Sequence, residues 1–397
     1  MKTILENIKG DKAIWAVAGL LALFSFLPVY SASSNLAYLY DDGNTSKYLI
    51  KHFAHLVLGF TILYGVHKIP FHYFKGLSLI ALPFVIVLLI VTMAQGTTIG
   101  GANASRWIRI PLVGVGFQTS TLAAVVLMAY VARYLSRIKD KVVSFKETLL
   151  PLWVPVFFVL GLILPANFST AAIIFAMVTM LVFIGGYPIK YLAIILASGA
   201  LCLTLFVLSA KAFPGVFPNR VDTWVSRLDN FFDKEDTDAD YQIEKAKIAI
   251  ATGGVTGLGP GKSIQKNFLP QSSSDFIYAI IVEEFGIVGG LFLMSLYMFL
   301  LFRLVIVAHK ASSMFGKLLA IGVGVPIVFQ AMINMAVAVE LFPVTGQTLP
   351  LVSSGGTSIW MTCLALGMIL SVSAKREVQK DEMEDVENPL DILSETI

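Results

Sequence analysis

Three groups of residues are of a type and spacing that could do chemistry. The first is Asp275, which closes the run Pro270-Gln271-Ser272-Ser273-Ser274-Asp275-Phe276-Ile277-Tyr278. A proline and three serines lead there into a long apolar stretch. A carboxylate at this place has two readings. It is a helix N-cap, or a charge favoured by the helix dipole; or it is a general base at a membrane surface. Glu283 and Glu284 follow well inside the apolar run. Acidic groups in such a setting are expensive and face a cavity or a partner. At about 100° per residue, Glu283 lies about 80° round from Asp275, and Glu284 faces the opposite side. Glu283 is thus placed to share a cavity with Asp275, and Glu284 to pair with another helix. For both, a structural pairing stays open beside a chemical role.

The second group lies in Phe342-Pro343-Val344-Thr345-Gly346-Gln347-Thr348-Leu349-Pro350-Leu351-Val352-Ser353-Ser354-Gly355-Gly356-Thr357-Ser358. Two prolines and three glycines in an apolar setting predict a re-entrant or partly unwound segment. Such backbone at membrane depth needs a protein or water-filled surround. The third group is Gly101-Ala102-Asn103-Ala104-Ser105-Arg106-Trp107-Ile108, which brings an arginine and an indole to an interface. Anchoring in the aromatic belt and binding of phosphate are both open. His52 and His55 share a helix face, but no third metal ligand stands near them in sequence.

These residues must be positioned by membrane helices. The chain has 397 residues, of which 56% are hydrophobic and 14% charged, and its mean hydropathy is +0.78. Soluble domains carry about 25% charged residues, so lipid is the solvent for most of this chain. A net charge of +3 is too small to point to nucleic acid. The two cysteines, Cys202 and Cys363, lie in apolar segments and read as packing. Apolar runs near 13–31, 48–66, 76–95, 118–136, 150–165, 170–186, 188–209, 277–302, 316–340 and 355–373 predict about ten spans. The fifth to seventh are interrupted by Pro165, Gly185, Gly186 and Pro188. The first run lacks a signal-peptidase cleavage pattern and is expected to stay in the membrane.

Lys and Arg set the expected orientation. With ten spans, Lys2, Lys9, Lys12, Lys68, Lys75, Arg133, Arg137, Lys139, Lys141, Lys146, Lys190, Arg303, Lys310, Lys317, Lys375 and Arg376 fall on one side. The opposite short loops hold Lys47, Lys51, Arg106 and Arg109. Both termini are then cytoplasmic. Residues 1–374 read as one membrane domain, with a long outer loop at 210–275 between spans seven and eight. A loop of that length is functional or disordered. This one carries Trp224, Phe231 and Phe232 among Arg220, Arg227, Asp222 and Asp229, a pattern suited to an interfacial helix, and then five glycines between Gly253 and Gly261. The acidic stretch 375–397 has too little apolar surface to fold alone and reads as a disordered cytoplasmic tail.

Taken together, these segments resemble the SEDS family (shape, elongation, division and sporulation), the group of FtsW and RodA. The resemblance spans nearly the whole chain. It rests on the Gly101–Ile108 block, Phe117-Gln118, Tyr241-Gln242, Ala249 to Gly254, Gly257-Leu258-Gly259, Leu269 to Ile277, Glu283-Glu284-Phe285-Gly286, and Pro343 to Ser358. The pattern around Asp275 and Glu283 is closer to the division-type FtsW than to the elongation-type RodA.

The resemblance implies an all-α, polytopic peptidoglycan glycosyltransferase of the cytoplasmic (inner) membrane. It would polymerise lipid II, the undecaprenyl-pyrophosphoryl disaccharide-pentapeptide, on the outer face. The implied partners are a class B penicillin-binding protein, as transpeptidase, and other division proteins. The family's essential aspartate corresponds to Asp275. An α-linked donor and a β-1,4 product need one inversion, so a carboxylate that takes the proton from the acceptor hydroxyl suffices. The leaving pyrophosphate needs positive charge, from Arg106, Arg220, Arg227, Lys245 or Lys51, or from a divalent cation such as Mg²⁺ or Mn²⁺. No organic cofactor is implied. Gln242, Ser353, Ser354 and Glu283 complete the candidate substrate contacts.

The chain departs from the family pattern at Gln118-Thr119-Ser120-Thr121-Leu122-Ala123-Ala124, where Thr121 and Ala124 replace a glutamate and a lysine. It departs again at Asn167, where an aspartate is usual. Two other functions remain open on the sequence: a lipid II flippase, which broken helices also suit, and a scaffold that only recruits the transpeptidase.

Overall fold

In the computed structural model, the described residues are 8–386, apart from 41–42, 96–105, 110–115, 140, 142, 213–237 and 270. The ten apolar runs all lie on helices. In chain order these are α1 (Lys12–Tyr40), α2 (Thr45–His67), α3 (His72–Gln95), α4 (Thr119–Ile138), α5 (Phe145–Ile163), α6 (Phe168–Ile184), α7 (Ile189–Ala212), the amphipathic α8 (Asp238–Gly253), α9 (Ile277–His309), α10 (Met314–Ala338) and α11 (Gly356–Val386). Eight of them are long and apolar enough to cross a membrane. The shorter apolar segments are α6 and, within α7, Ile189–Cys202. Both flank the predicted interruptions: α5 ends before Pro165, and α6 ends at Gly185, with Gly186 at φ +81°. The protein is thus an all-α polytopic membrane protein.

Arg220 and Arg227, the aromatic Trp224, Phe231 and Phe232, and the last eleven residues of the tail lie outside the described residues. α11 itself runs on to Val386, past the end of the predicted tenth span.

Close helix approach is built with small residues, as expected where lipid removes the hydrophobic drive between helices. α2 runs along α11. A Cβ added at Gly59 would lie 3.0 Å from Cys363 Sγ, and one at Gly367 would lie 3.0 Å from the Leu63 carbonyl. α10 is the central element and touches α4, α6, α9 and α11. α3 turns Ile80, Phe84 and Val87 outward, where lipid is the solvent.

At the far end of the bundle from Asp275, the start of α1 is tied down. Asp11 accepts from Arg303 of α9 as a partly buried ion pair, and its N–H donates to Ser373 of α11 at 2.9 Å. A short antiparallel hairpin, β1 (Trp107–Arg109) and β2 (Gly116–Gln118), pairs Trp107 with Gln118 and leads directly into α4.

Candidate functional site

The residues before α9 form a series of turns. Phe276 takes the N-cap position of α9 without a side-chain capping bond. Its side chain is buried with Leu269, Ile280, Ile333 and Val337. Asp275 therefore stands just outside the helix, and no acidic residue lies in the first turn. Its carboxylate is turned to another neighbour. The Ser274 hydroxyl donates to Asp275 Oδ1 at 3.0 Å, sharing its one proton with Gln271 Oε1 at 2.8 Å.

The segment between α10 and α11 is non-helical and folds against these turns. Ser353 Oγ donates to the Ser274 carbonyl at 2.6 Å, and Ser354 N–H donates to the Ser273 carbonyl at 2.9 Å. Ser353 Oγ also accepts from Leu349 N–H at 2.7 Å. Asn334, on α10, donates from Nδ2 to the Asp275 and Gln347 carbonyls, 2.7 Å each. Gly346 has φ +66°, and a Cβ there would lie 3.4 Å from Asp275 Oδ2. Leu351 is held at φ +63°, an outlier for a branched side chain. Beside it, the buried Tyr297 of α9 donates to the Pro350 carbonyl at 2.6 Å.

Asp275 is partly exposed, but packed neighbours strip most water from its carboxylate. This burial pushes its pKa up, while the Ser274 hydrogen bond and the Arg106 guanidinium pull it back. The result is a base that is more avid for a proton than a solvated carboxylate.

Beneath the segment lies a cavity of about 120 Å³ between α4, α6, α10 and α11. Its polar rim holds Gln118, Ser120, Thr170, Gln330, Gln347 and Thr348, and its apolar depth holds Met128, Ile174, Met177, Val323 and Ile327. The rim is cross-linked: Gln347 donates to Thr170 at 3.0 Å, Gln330 to the Thr348 carbonyl at 2.8 Å, and Thr348 to Ser358 at 2.8 Å. Gly346 lines this cavity and also meets Asp275, so the carboxylate stands at its edge. A smaller cavity shares Ser120 with it and contains Arg106, Asn167 and Thr119. Arg106 Nε donates to the Ala166 carbonyl at 2.8 Å.

Of the candidate substrate contacts, Asp275, Ser353, Ser354 and Arg106 are brought to this place. Glu283 is placed elsewhere. Its carboxylate accepts from Ser263 Oγ, from Ile264 N–H at 3.0 Å and from Gln265 N–H at 3.2 Å. Glu284 accepts from Ser31 of α1 and from Ser263 N–H at 3.3 Å. Both glutamates are fully buried. They hold the glycine-rich loop after α8 against a break in α9 at Gly286, whose φ of 69° and ψ of −173° suit glycine alone. Gln242 and Lys245 lie on α8, with Lys245 over the Tyr241 ring at 5.1 Å. Lys51 is exposed on α2.

The sequence pattern of the FtsW/RodA/SpoVE family, described as cell cycle protein, matches residues 11–378. The chain belongs to this family. A protein of Hydrogenovibrio crunogenus named "Probable peptidoglycan glycosyltransferase FtsW" is 32% identical over 90% of each chain. A Geobacter sulfurreducens protein of the same name is 32% identical over 94% of this chain and 97% of its own. The fold also matches a chain of a peptidoglycan synthase complex (TM-score 0.71, 24% identity, 92% of this chain and 98% of that one). It matches the Thermus thermophilus rod shape determining protein RodA as well (TM-score 0.65, 23% identity, 92% and 97%).

Membership sharpens the meaning of the departures. Thr121 and Ala124 both line the larger cavity, and Asn167 lines the smaller one. Among the described residues, no Asp, Glu, Lys or Arg lines the larger cavity. Asn167 caps α6 by accepting from Thr170 N–H at 3.2 Å, a service that asparagine and aspartate perform about equally.

Asn334, Gln330 and Tyr297 take part in the site without belonging to a sequence motif. A signal was available for two of them. Gln330 and Asn334 are one turn apart in an apolar span, and polar side chains there need partners in protein.

Proposed function

We propose that this protein is a peptidoglycan glycosyltransferase that polymerises lipid II. The observation that carries the proposal is Asp275: a partly exposed carboxylate just outside a membrane helix, of raised pKa, pinned by a second motif at the edge of a polar-rimmed cavity. The names of its 30%-identical relatives point the same way.

In this reading the acceptor sugar's 4-hydroxyl attacks C1 of the donor as the bond from C1 to the pyrophosphate oxygen breaks. The hydroxyl proton passes to Asp275, and undecaprenyl pyrophosphate leaves. One displacement converts the α linkage to β-1,4. Among the described residues, Arg106 is the cation whose field acts on Asp275, and it is assigned to the pyrophosphate. The described residues hold no group of three His, Cys, Asp or Glu able to cage a metal. No step above runs through a divalent cation.

The Lys and Arg distribution supports an orientation with both termini in the cytoplasm and Asp275 on the outer face of the inner membrane. A role in septal synthesis beside a class B penicillin-binding protein follows from the family resemblance, and the family description, cell cycle protein, supports a role in division. Depletion should yield filaments with unfinished septa, whereas rounded cells would favour an elongation role.

General-base assistance typically gives about 10²–10⁴-fold in rate. Purified protein with its transpeptidase partner is expected to convert lipid II into glycan strands, and Asp275→Ala to lose at least about 10²-fold while eluting as a folded protein. Normal polymer yield from Asp275→Ala would remove the base from the scheme. Transport of lipid II into vesicles without polymer would favour the flippase.

A further inference from the structure

The strongest unassigned feature is Asn334. It lies in the middle of a buried helix face, 1% exposed, and both hydrogen bonds from its Nδ2 go to backbone carbonyls of the site, those of Asp275 and Gln347. Its Oδ1 is buried with no hydrogen-bond partner. A leucine would fill the same space without leaving a buried carbonyl unpaired. What justifies an amide is therefore the pair of donors, and those join two chain segments far apart in sequence. Neighbours on the same helix reinforce the clamp. Ile333 and Val337 pack with Phe276, the residue next to Asp275. The backbone of Asp275 is gripped from α10 while its carboxylate stays partly exposed.

We infer that Asn334 is the positioning residue of the site: it fixes the peptide of Asp275 against Gly346–Gln347 and so sets where the carboxylate points. It touches no reacting atom. The inference rests on the reading of Asp275 as the base. Its mark is a change in chemistry with little change in substrate affinity. A base displaced by about 1 Å loses on the order of 10² in rate.

The acid limb of the pH profile should move as well. Freed from the clamp, the carboxyl gains water and titrates nearer an ordinary carboxylate, so the limb shifts to lower pH. Among the described residues, Arg106 is the charged group whose field reaches Asp275. Glu340, just past the end of α10, and Lys247 on α8 are engaged with each other at 2.5 Å. Neither accounts for a shift on changing Asn334.

The test compares wild type, Asn334→Leu, Asn334→Ala, Tyr130→Phe and Asp275→Ala in lipid II polymerisation, each with its partner and each with melting temperature and elution profile recorded. Tyr130→Phe removes another hydrogen bond of the bundle, to the Pro151 carbonyl at 2.6 Å, away from both cavities, and controls for a general loss of stability. The expected result is that both Asn334 variants lose about 10²-fold in kcat with KM within about twofold, that their acid limb moves down, and that Tyr130→Phe keeps its kcat and its limb. Asn334 variants with wild-type kcat and limb overturn the inference. So does a loss in Asn334→Leu matched by Tyr130→Phe at equal melting temperature. If Asn334→Leu fails to fold, Asn334→Ala decides alone, because it removes the donors without adding bulk or charge. An active Asp275→Ala instead overturns the reading of the base, and the two failures are told apart by that arm.

Discussion

At the scale of single residues, Asp275 and Arg106 form one electrostatic unit. Burial raises the Asp275 pKa and Arg106 lowers it. A base works only when ionised, so activity is lost as pH falls through the raised value, above the ordinary carboxylate value of about 3.9. Arg106→Gln removes the opposing field. Its acid limb in kcat is therefore expected at higher pH than in wild type, read from polymerisation rates across a pH series; an unmoved limb would show that the two charges are not coupled. Gly346 makes a second prediction. At φ +66° an alanine is strained by about 1–2 kcal/mol, and relief of that strain would shift backbone whose Cβ stands in van der Waals contact with Asp275 Oδ2 at 3.4 Å. Gly346→Ala should lower both melting temperature and kcat. The importance of Asp275 was legible from its place before an apolar run, but its surroundings were not. The helix begins at Ile277, so a helical wheel drawn from Asp275 starts outside the helix and cannot locate Glu283.

At the scale of elements, the loop after α8 and the break in α9 are complementary. Gly257 and Gly286 abut backbone to backbone: a Cβ on Gly257 would lie 2.2 Å from the Glu284 carbonyl, and one on Gly286 would lie 2.1 Å from the Val255 carbonyl. The loop is bonded along its length, with Leu258 N–H on the Glu283 carbonyl and Gly259 N–H on the Glu284 carbonyl, 2.9 Å each. Glu283→Ala leaves the buried Ser263 hydroxyl and two backbone N–H groups without their acceptor. A loss of about 2–4 kcal/mol is expected, visible as a lower melting temperature and as proteolysis between α8 and α9. Retained protease resistance would show that the loop is held by other contacts. The five glycines were legible as turns. That Gly253, Gly254, Gly257 and Gly259 meet α9 was not, because close approach depends on a partner that sequence order does not name.

At the scale of the whole molecule, the site is a convergence of α4, α6, α9, α10 and α11, and its rigidity depends on contacts far from Asp275. The Asp11–Arg303 pair joins the start of α1 to the end of α9, and Asp11 is also bonded to Ser373 of α11. Removing one partner of such a pair leaves the other buried and uncompensated. Arg303→Ala is expected to destabilise the bundle by about 2–4 kcal/mol. Since the pair lies at the opposite end from the site, kcat should be nearly unchanged below the melting transition. A large kcat loss at full stability would reveal coupling along α9.

Composition and hydropathy were sufficient to establish a helical membrane protein and to place its ten apolar runs. Each run is set by a local quantity, the length of chain that lipid will accept. The motifs around Asp275 and Pro343 to Ser358 were legible for the same reason, since turns and breaks are written in proline, glycine and serine. Only the tertiary structure decided which polar groups meet. Asn334 on Asp275, Ser353 on Ser274, Tyr297 on Pro350 and the glutamates on the loop are all pairings across distant parts of the chain. In a low-dielectric interior every such group must find a partner, but the sequence states only the need. The packing of α10 between its neighbours supplies the partner.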